Sequence, residues 1–135
     1  DVALEASAAL PDDERTQVVL VDSIGVLAEI YRAGHIAYVG GSFTTGVHNT
    51  MEPAVCSLPV LFGPRIGNAE EAGQLVERGA GRVLAKPDQA LAAASELLAD
   101  EDLRRQVGAA AHQVVLDQRG ATARSLALIE PWLTP

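Results

Sequence analysis

Apolar and polar positions come in alternating blocks. Val18-Val19-Leu20-Val21 is a wholly apolar, mostly β-branched run, the signature of a strand buried on both faces. Asp22-Ser23 follows as a candidate N-cap. Leu27, Ile30 and Tyr31 then keep helical spacing between Ile24 and Ala33, and Gly34 is placed to end that helix. His35 to Val39 reads as a second strand, leaving through Gly40-Gly41 into a loop of small residues up to Asn49. A short helix is predicted over Met51 to Ser57 and a third strand over Pro59 to Phe62, closed by Gly63-Pro64. Asn68 is placed to cap a helix from Ala69 to Arg78, which Gly79 ends. Gly81 to Ala85 gives a fourth, shorter strand, and Pro87 opens a helix to about Ala99. Asp100 or Asp102 caps a last helix, interrupted at Gly120 and resumed from Thr122 to about Trp132. The segment Asp1 to Gln17 is polar and Ala-rich, with a loop predicted at Pro11-Asp12-Asp13-Glu14.

Strands alternating with helices through short connections imply right-handed crossovers and a parallel sheet. The fold class is therefore α/β: a Rossmann-like parallel sheet with flanking helices, as in part of a doubly wound domain. At 135 residues the chain fits one domain, 1–135, with its core over 18–133. A hydrophobic content of 48% is enough for a packed interior. The net charge of −8 argues against binding nucleic acid or an anionic membrane through bulk charge. The single cysteine, Cys56, can form no internal disulfide and is expected in the core of an apolar helix face. No apolar run is long enough to span a bilayer. Beginning at Asp1 without an initiator methionine, the chain is expected to be an excised piece of a longer protein.

In open parallel sheets, ligands gather beyond the carboxyl ends of the strands. The richest segment there is Gly40-Gly41-Ser42-Phe43-Thr44-Thr45-Gly46-Val47-His48-Asn49-Thr50-Met51-Glu52-Pro53. It joins a glycine turn, hydroxyls, a histidine and an amide to an acid at a helix start. Backbone N–H groups near Thr50 and Met51 suit a phosphate, and the Glu52 carboxylate offers two acceptor oxygens to a sugar diol. A second reading stays open, because Asn49 and Glu52 also have the spacing of a capping box, although Pro53 disfavours helical geometry at Glu52. Arg65 near a strand end is a candidate for an anionic ligand, whereas Arg104, Arg105 and Arg119 read as solvated or salt-bridged. His35 and His112 carry no partner pattern. The sequence has no metal-ligand spacing, P-loop or nucleophile elbow.

These residues resemble a known family. Val19-Leu20-Val21-Asp22-Ser23-Ile24-Gly25, Tyr38-Val39-Gly40-Gly41-Ser42 and His48-Asn49-Thr50-Met51-Glu52-Pro53-Ala54 are similar to the nucleotide-sugar-binding half of bacterial 3-deoxy-D-manno-octulosonic acid (Kdo) transferases. Leu58 to Pro64, Asn68 to Glu71, Gly79-Ala80-Gly81 and Gly120 to Arg124 extend the likeness over about Val18 to Leu133. Two positions depart from the family pattern: Val26 stands where a Glu is frequent, and Phe43 to Val47 lacks the usual Gly-Gly before His-Asn.

The resemblance implies the C-terminal domain of a GT-B glycosyltransferase and an inverting, metal-independent transfer of Kdo from CMP-Kdo to lipid A precursor in lipopolysaccharide biosynthesis. It places Gly41, Ser42, His48, Asn49 and Glu52 in the donor pocket, with Glu52 on the ribose, and Ser23, Ile24 and Gly25 along its border. It implies no cofactor, no metal and no catalytic residue in this chain, the general base belonging to an N-terminal half that also meets the acceptor. The isolated piece is then expected to be soluble and inactive, and its parent to sit on the cytoplasmic face of the inner membrane. Two rivals are a UDP-sugar epimerase domain of GT-B type and a non-catalytic, flavodoxin-like interaction module.

Overall fold

A computed structural model describes residues 2–5 and 18–133. The strands are β1 (Val2–Glu5), β2 (Val18–Val21), β3 (Ala37–Val39), β4 (Val60–Phe62) and β5 (Gly81–Val83). The helices are α1 (Leu27–Ala33), α2 (Met51–Val55), α3 (Glu70–Glu77), α4 (Pro87–Ala99), α5 (Glu101–Asp117) and α6 (Ala121–Leu133). All strand pairs are parallel: β1 with β2 in one sheet, and β3-β4-β5 in the other.

The central strand β4 has the buried, apolar character expected of a parallel sheet covered on both faces. Val60 and Phe62 enter one cluster with Val39, Leu75, Ala111 and Val114, while Leu61 enters the other with Leu84, Leu97 and Val107. Each large apolar side chain fully buried here contributes about 1.5–3 kcal/mol. Phe62, Leu75 and Leu97 are among the largest side chains so buried. Helix α5 serves both clusters, Val107 on the α4 side and Ala111 and Val114 on the α2 and α3 side. Leu103, Ala110 and Val115 pack around these, which agrees with the apolar spacing of that helix.

Several expectations need correction. Strand β1 was not evident in Val-Ala-Leu-Glu, and it gives β2 a partner that is not part of the β3-β4-β5 sheet. Strand β2 is consequently not buried on both faces: Val18 and Leu20 are each 54% exposed. Asp22-Ser23 does not cap α1. That helix begins three residues further on, from Val26, without a side-chain cap. Asn68 does not cap α3, whose N-cap residue is Ala69. Cys56 is half-buried at the C-terminal end of α2 instead of lying in the core. Pro53 does not disrupt Glu52. It occupies the first turn of α2, where an amide hydrogen would have no helical partner, so the helix forms through it.

Of the two candidate caps for α5, Asp100 is used, its carboxylate accepting the Leu103 N–H at 2.9 Å. Gly120, at φ +80°, separates α5 from α6 as expected. Helix α6 exposes Leu126, Leu128, Ile129 and Trp132. Among the described residues no helix is long and apolar enough to cross a membrane. The loop predicted at Pro11 to Glu14 lies outside the described residues.

Candidate functional site

Beyond the carboxyl ends of β3 and β4, two loops are laced together. The first, residues 40–50, starts as a tight turn wound on one carbonyl. Gly41 O accepts the N–H groups of Thr44 (2.9 Å), Thr45 (3.1 Å) and Gly46 (3.2 Å). Gly41 takes φ +86°, and a Cβ there would overlap Gly46 O and the His48 ring, so both the conformation and the closeness call for glycine. His48 N–H returns to Gly40 O at 3.1 Å, closing the loop's neck.

The second loop follows β4. Ser42 is fully buried, and its Oγ accepts the Gly63 N–H at 2.6 Å. Arg65 N–H donates to Ser42 O at 3.0 Å, and Val47 N–H donates to Arg65 O at 3.0 Å. The Arg65 guanidinium donates to Thr44 O. Asn68 spans the same gap with both ends of its amide on Val47. The result is a ledge fixed by backbone bonds rather than an isolated flexible loop.

Asn49 and Glu52 stand at its outer end. Asn49 Oδ1 accepts the Met51 N–H at 2.9 Å and, at the longer distance of 3.4 Å, the Glu52 N–H. Its Nδ2 donates to Glu52 Oε1 at 2.9 Å. The amide therefore satisfies the start of α2 and holds the carboxylate at once. Capping and display of Glu52 are the same arrangement, although the return bond expected of a capping box, from the acid to a backbone N–H, is replaced by a bond to the Asn49 side chain. The Met51 N–H, a candidate for phosphate, is taken by Asn49. Thr50 is wholly buried, and its Oγ1 has no hydrogen-bond partner.

Helix α1 packs on α2. Burial pushes the Tyr31 hydroxyl above its ordinary pKa, and the charges of Glu52 and then Cys56 add to the rise. Tyr31 of α1 thus feels the Glu52 carboxylate, a neighbour that sequence spacing alone does not announce. In the segment that precedes α1, Ser23 is half-buried, Gly25 has φ +91°, and Ile24 is fully exposed.

The structure gathers Gly41, Ser42, His48, Asn49 and Glu52 along one loop and the helix start that follows it, while Ser23 to Gly25 precede α1, which packs on α2. The Ser42 hydroxyl is turned inward, so its part is to pin the turn to Gly63. Arg65 is spent on Thr44. His35 and Cys56 lie at the opposite ends of the strands, in a shallow groove with Arg104 and Arg105. His112 Nδ1 lies 2.8 Å from Val55 O, joining α5 to α2. Asn68 and Tyr31 are the residues sequence reasoning missed. For Asn68 the sequence offered an amide beside a helix start, which pointed to a different job, and a place in the Asn68 to Glu71 stretch of the family likeness, which named no role.

No family model matches the chain. It is 38% identical over 124 residues to the 3-deoxy-D-manno-octulosonic acid transferase of Haemophilus influenzae, covering 90% of this chain and 29% of that protein. The transferases of Chlamydia pneumoniae and Bordetella pertussis are 41% and 36% identical, over 64% and 86% of this chain and 21% and 28% of theirs. The chain therefore spans less than a third of these curated relatives. Among solved structures it is similar to the C-terminal CMP-Kdo binding domain of WaaA from Acinetobacter baumannii. The TM-score is 0.69 and the identity 33%, over 77% of this chain and 54% of that one. The similarity read from the sequence motifs is borne out both in sequence and in fold: the chain is similar to part of the curated Kdo transferases and to the C-terminal domain of WaaA.

Proposed function

We propose, from that relationship, that the chain is the donor-binding part of a Kdo transferase and that the ledge over β3 and β4 holds CMP-Kdo. The observation that carries the proposal is the coincidence of the Gly41 turn and the Asn49–Glu52 pair with a fold similar to a CMP-Kdo binding domain. Glu52 Oε1 is steadied by Asn49, which leaves Oε2 to accept from ribose hydroxyls. The Gly41 turn lets the nucleotide approach the backbone, and the phosphate lies toward Asn49 and the start of α2. Because CMP leaves as the new bond forms, charge grows on its phosphate, and a ledge already fixed by its own hydrogen bonds meets that charge without rearranging. Ser23, Ile24 and Gly25 border the same nucleotide from the α1 side.

The finer reading is a GT-B enzyme with its general base and acceptor site in a separate N-terminal half. It would act without metal or cofactor, transferring Kdo with inversion to a lipid A precursor at the cytoplasmic face of the inner membrane. The relatives favour this reading over a UDP-sugar epimerase or an interaction module. Kinetics of the complete enzyme test it. Glu52→Ala should raise the KM for CMP-Kdo by about tenfold or more, the effect of losing hydrogen bonds to a charged group. Wild-type KM and kcat in that variant would remove Glu52 from the donor site.

A further inference from the structure

We propose that Asn68 is a positioning residue: it acts as a one-residue strand that clamps the donor ledge in its binding shape. Asn68 Oδ1 accepts the Val47 N–H at 3.1 Å, and its Nδ2 donates to Val47 O at 2.9 Å. That exchange of one donor and one acceptor with a single residue is what a paired strand residue makes through its backbone. Here a side-chain amide makes it across 21 positions of sequence.

Three neighbouring facts fit a clamp and not an incidental contact. Gly46 sits at φ +121°, and a Cβ there would overlap the Asn68 amide, so glycine clears the space the amide fills. The Val47 side chain is buried in the larger core cluster, so residue 47 is gripped at its backbone by Asn68 and at its side chain by the core. Asn68 also stands next to the start of α3, where asparagine is a preferred cap, yet no side chain caps that helix. The amide serves the ledge instead. Val47 N–H has a second acceptor in Arg65 O, so the bond that only Asn68 supplies is the one to the Val47 carbonyl. His48, Asn49 and Glu52 follow directly from this fixed point.

The inference rests on the donor-site reading above for its functional consequence, but not for the clamp itself. Asn68→Asp is the sharpest variant. It keeps an acceptor for the Val47 N–H, loses the donor, and sets a carboxylate oxygen against the Val47 carbonyl. In the complete enzyme, backbone amide exchange over residues 46–52 should rise at least tenfold while Val60 to Phe62 stay as protected as before. Affinity for CMP should fall about tenfold, the size expected of one misplaced polar contact. The KM for CMP-Kdo should rise with it and kcat change by less than about twofold, because Asn68 touches no reacting atom.

Gly46→Ala, which wedges the same contact from the other side, should give the same exchange pattern even if Asn68→Asp folds poorly. Combined with Asn68→Ala it should add little to either single change. Wild-type exchange over residues 46–52 in both Asn68→Asp and Gly46→Ala would overturn the clamp. Increased exchange there with CMP affinity and KM unchanged would overturn its role in positioning. If the wild-type enzyme failed to bind CMP, the donor-site reading would fall, while the exchange comparison would still decide the clamp.

Discussion

Ser42 and Gly41 are adjacent, but the structure gives them different work. Ser42 is buried and supplies the acceptor for the Gly63 N–H. Ser42→Ala leaves that buried donor unpaired, a change that costs about 1–3 kcal/mol. Chemical denaturation should register that loss in the absence of any nucleotide. Unchanged stability with lost nucleotide binding would instead mean that the hydroxyl faces the ligand. Gly41→Ala meets both a positive φ and the His48 ring. Its strain belongs to the class of about 1–3 kcal/mol, and it should distort His48 and Asn49 before it affects the sheet. That Gly41, Asn49 and Glu52 share one loop and the helix start after it was legible in the sequence, because they lie within a dozen positions and follow a strand. Asn68 and Tyr31 were not legible, because their partners Val47 and Glu52 are close only once the chain is folded.

Helices are fixed to their neighbours by close approach and by charge. Gly108 on α5 lies against the turn after α2, where an added Cβ would overlap Ser57 O, a backbone atom with little freedom to retreat. Gly108→Ala should therefore destabilise the protein by about 1–3 kcal/mol, in contrast to the stabilising effect of that change in an open helix. Urea titration of the two proteins measures the difference.

Ion pairs tie elements at the surface, among them Arg82 of β5 to Glu96 of α4, and Arg78, which follows α3, to Asp117 of α5. A hydrogen bond and charge from Arg82 lower the Glu96 pKa, while Asp117 is lowered by hydrogen bonds from Gln113 and then Arg78. A carboxyl with a depressed folded pKa contributes stability above its unfolded value, and that stability is lost as pH falls through the folded value. Stability should thus decline on the acid side of the ordinary carboxylate range. Replacing Glu96 with Gln should shallow that decline slightly, since both carboxylates are exposed and screened. Element type was readable from periodicity, as α5 illustrates. Boundaries that depend on a cap were not, as Val26 and Ala69 at the starts of α1 and α3 illustrate.

At the scale of the molecule, the parallel α/β character followed from the alternation of apolar strands and amphipathic helices. The division into a β1-β2 sheet and a β3-β4-β5 sheet did not, because strand pairing is a long-range property that no local pattern encodes. The same division explains why Val18 and Leu20 are exposed while Val60, Leu61 and Phe62 are buried. All three strands of the larger sheet run parallel, so β3 and β4 deliver their loops to one side, and the ledge is built where those loops meet. Its shape comes from backbone pairing and a few side-chain pins. The ledge is proposed to receive the nucleotide of the sugar donor. A crystal structure of the complete enzyme with CMP measures this directly. The ribose hydroxyls should lie within hydrogen-bond distance of Glu52 and the phosphate beside Asn49. A nucleotide bound elsewhere, with the Gly41 to Glu52 segment untouched, would contradict the account.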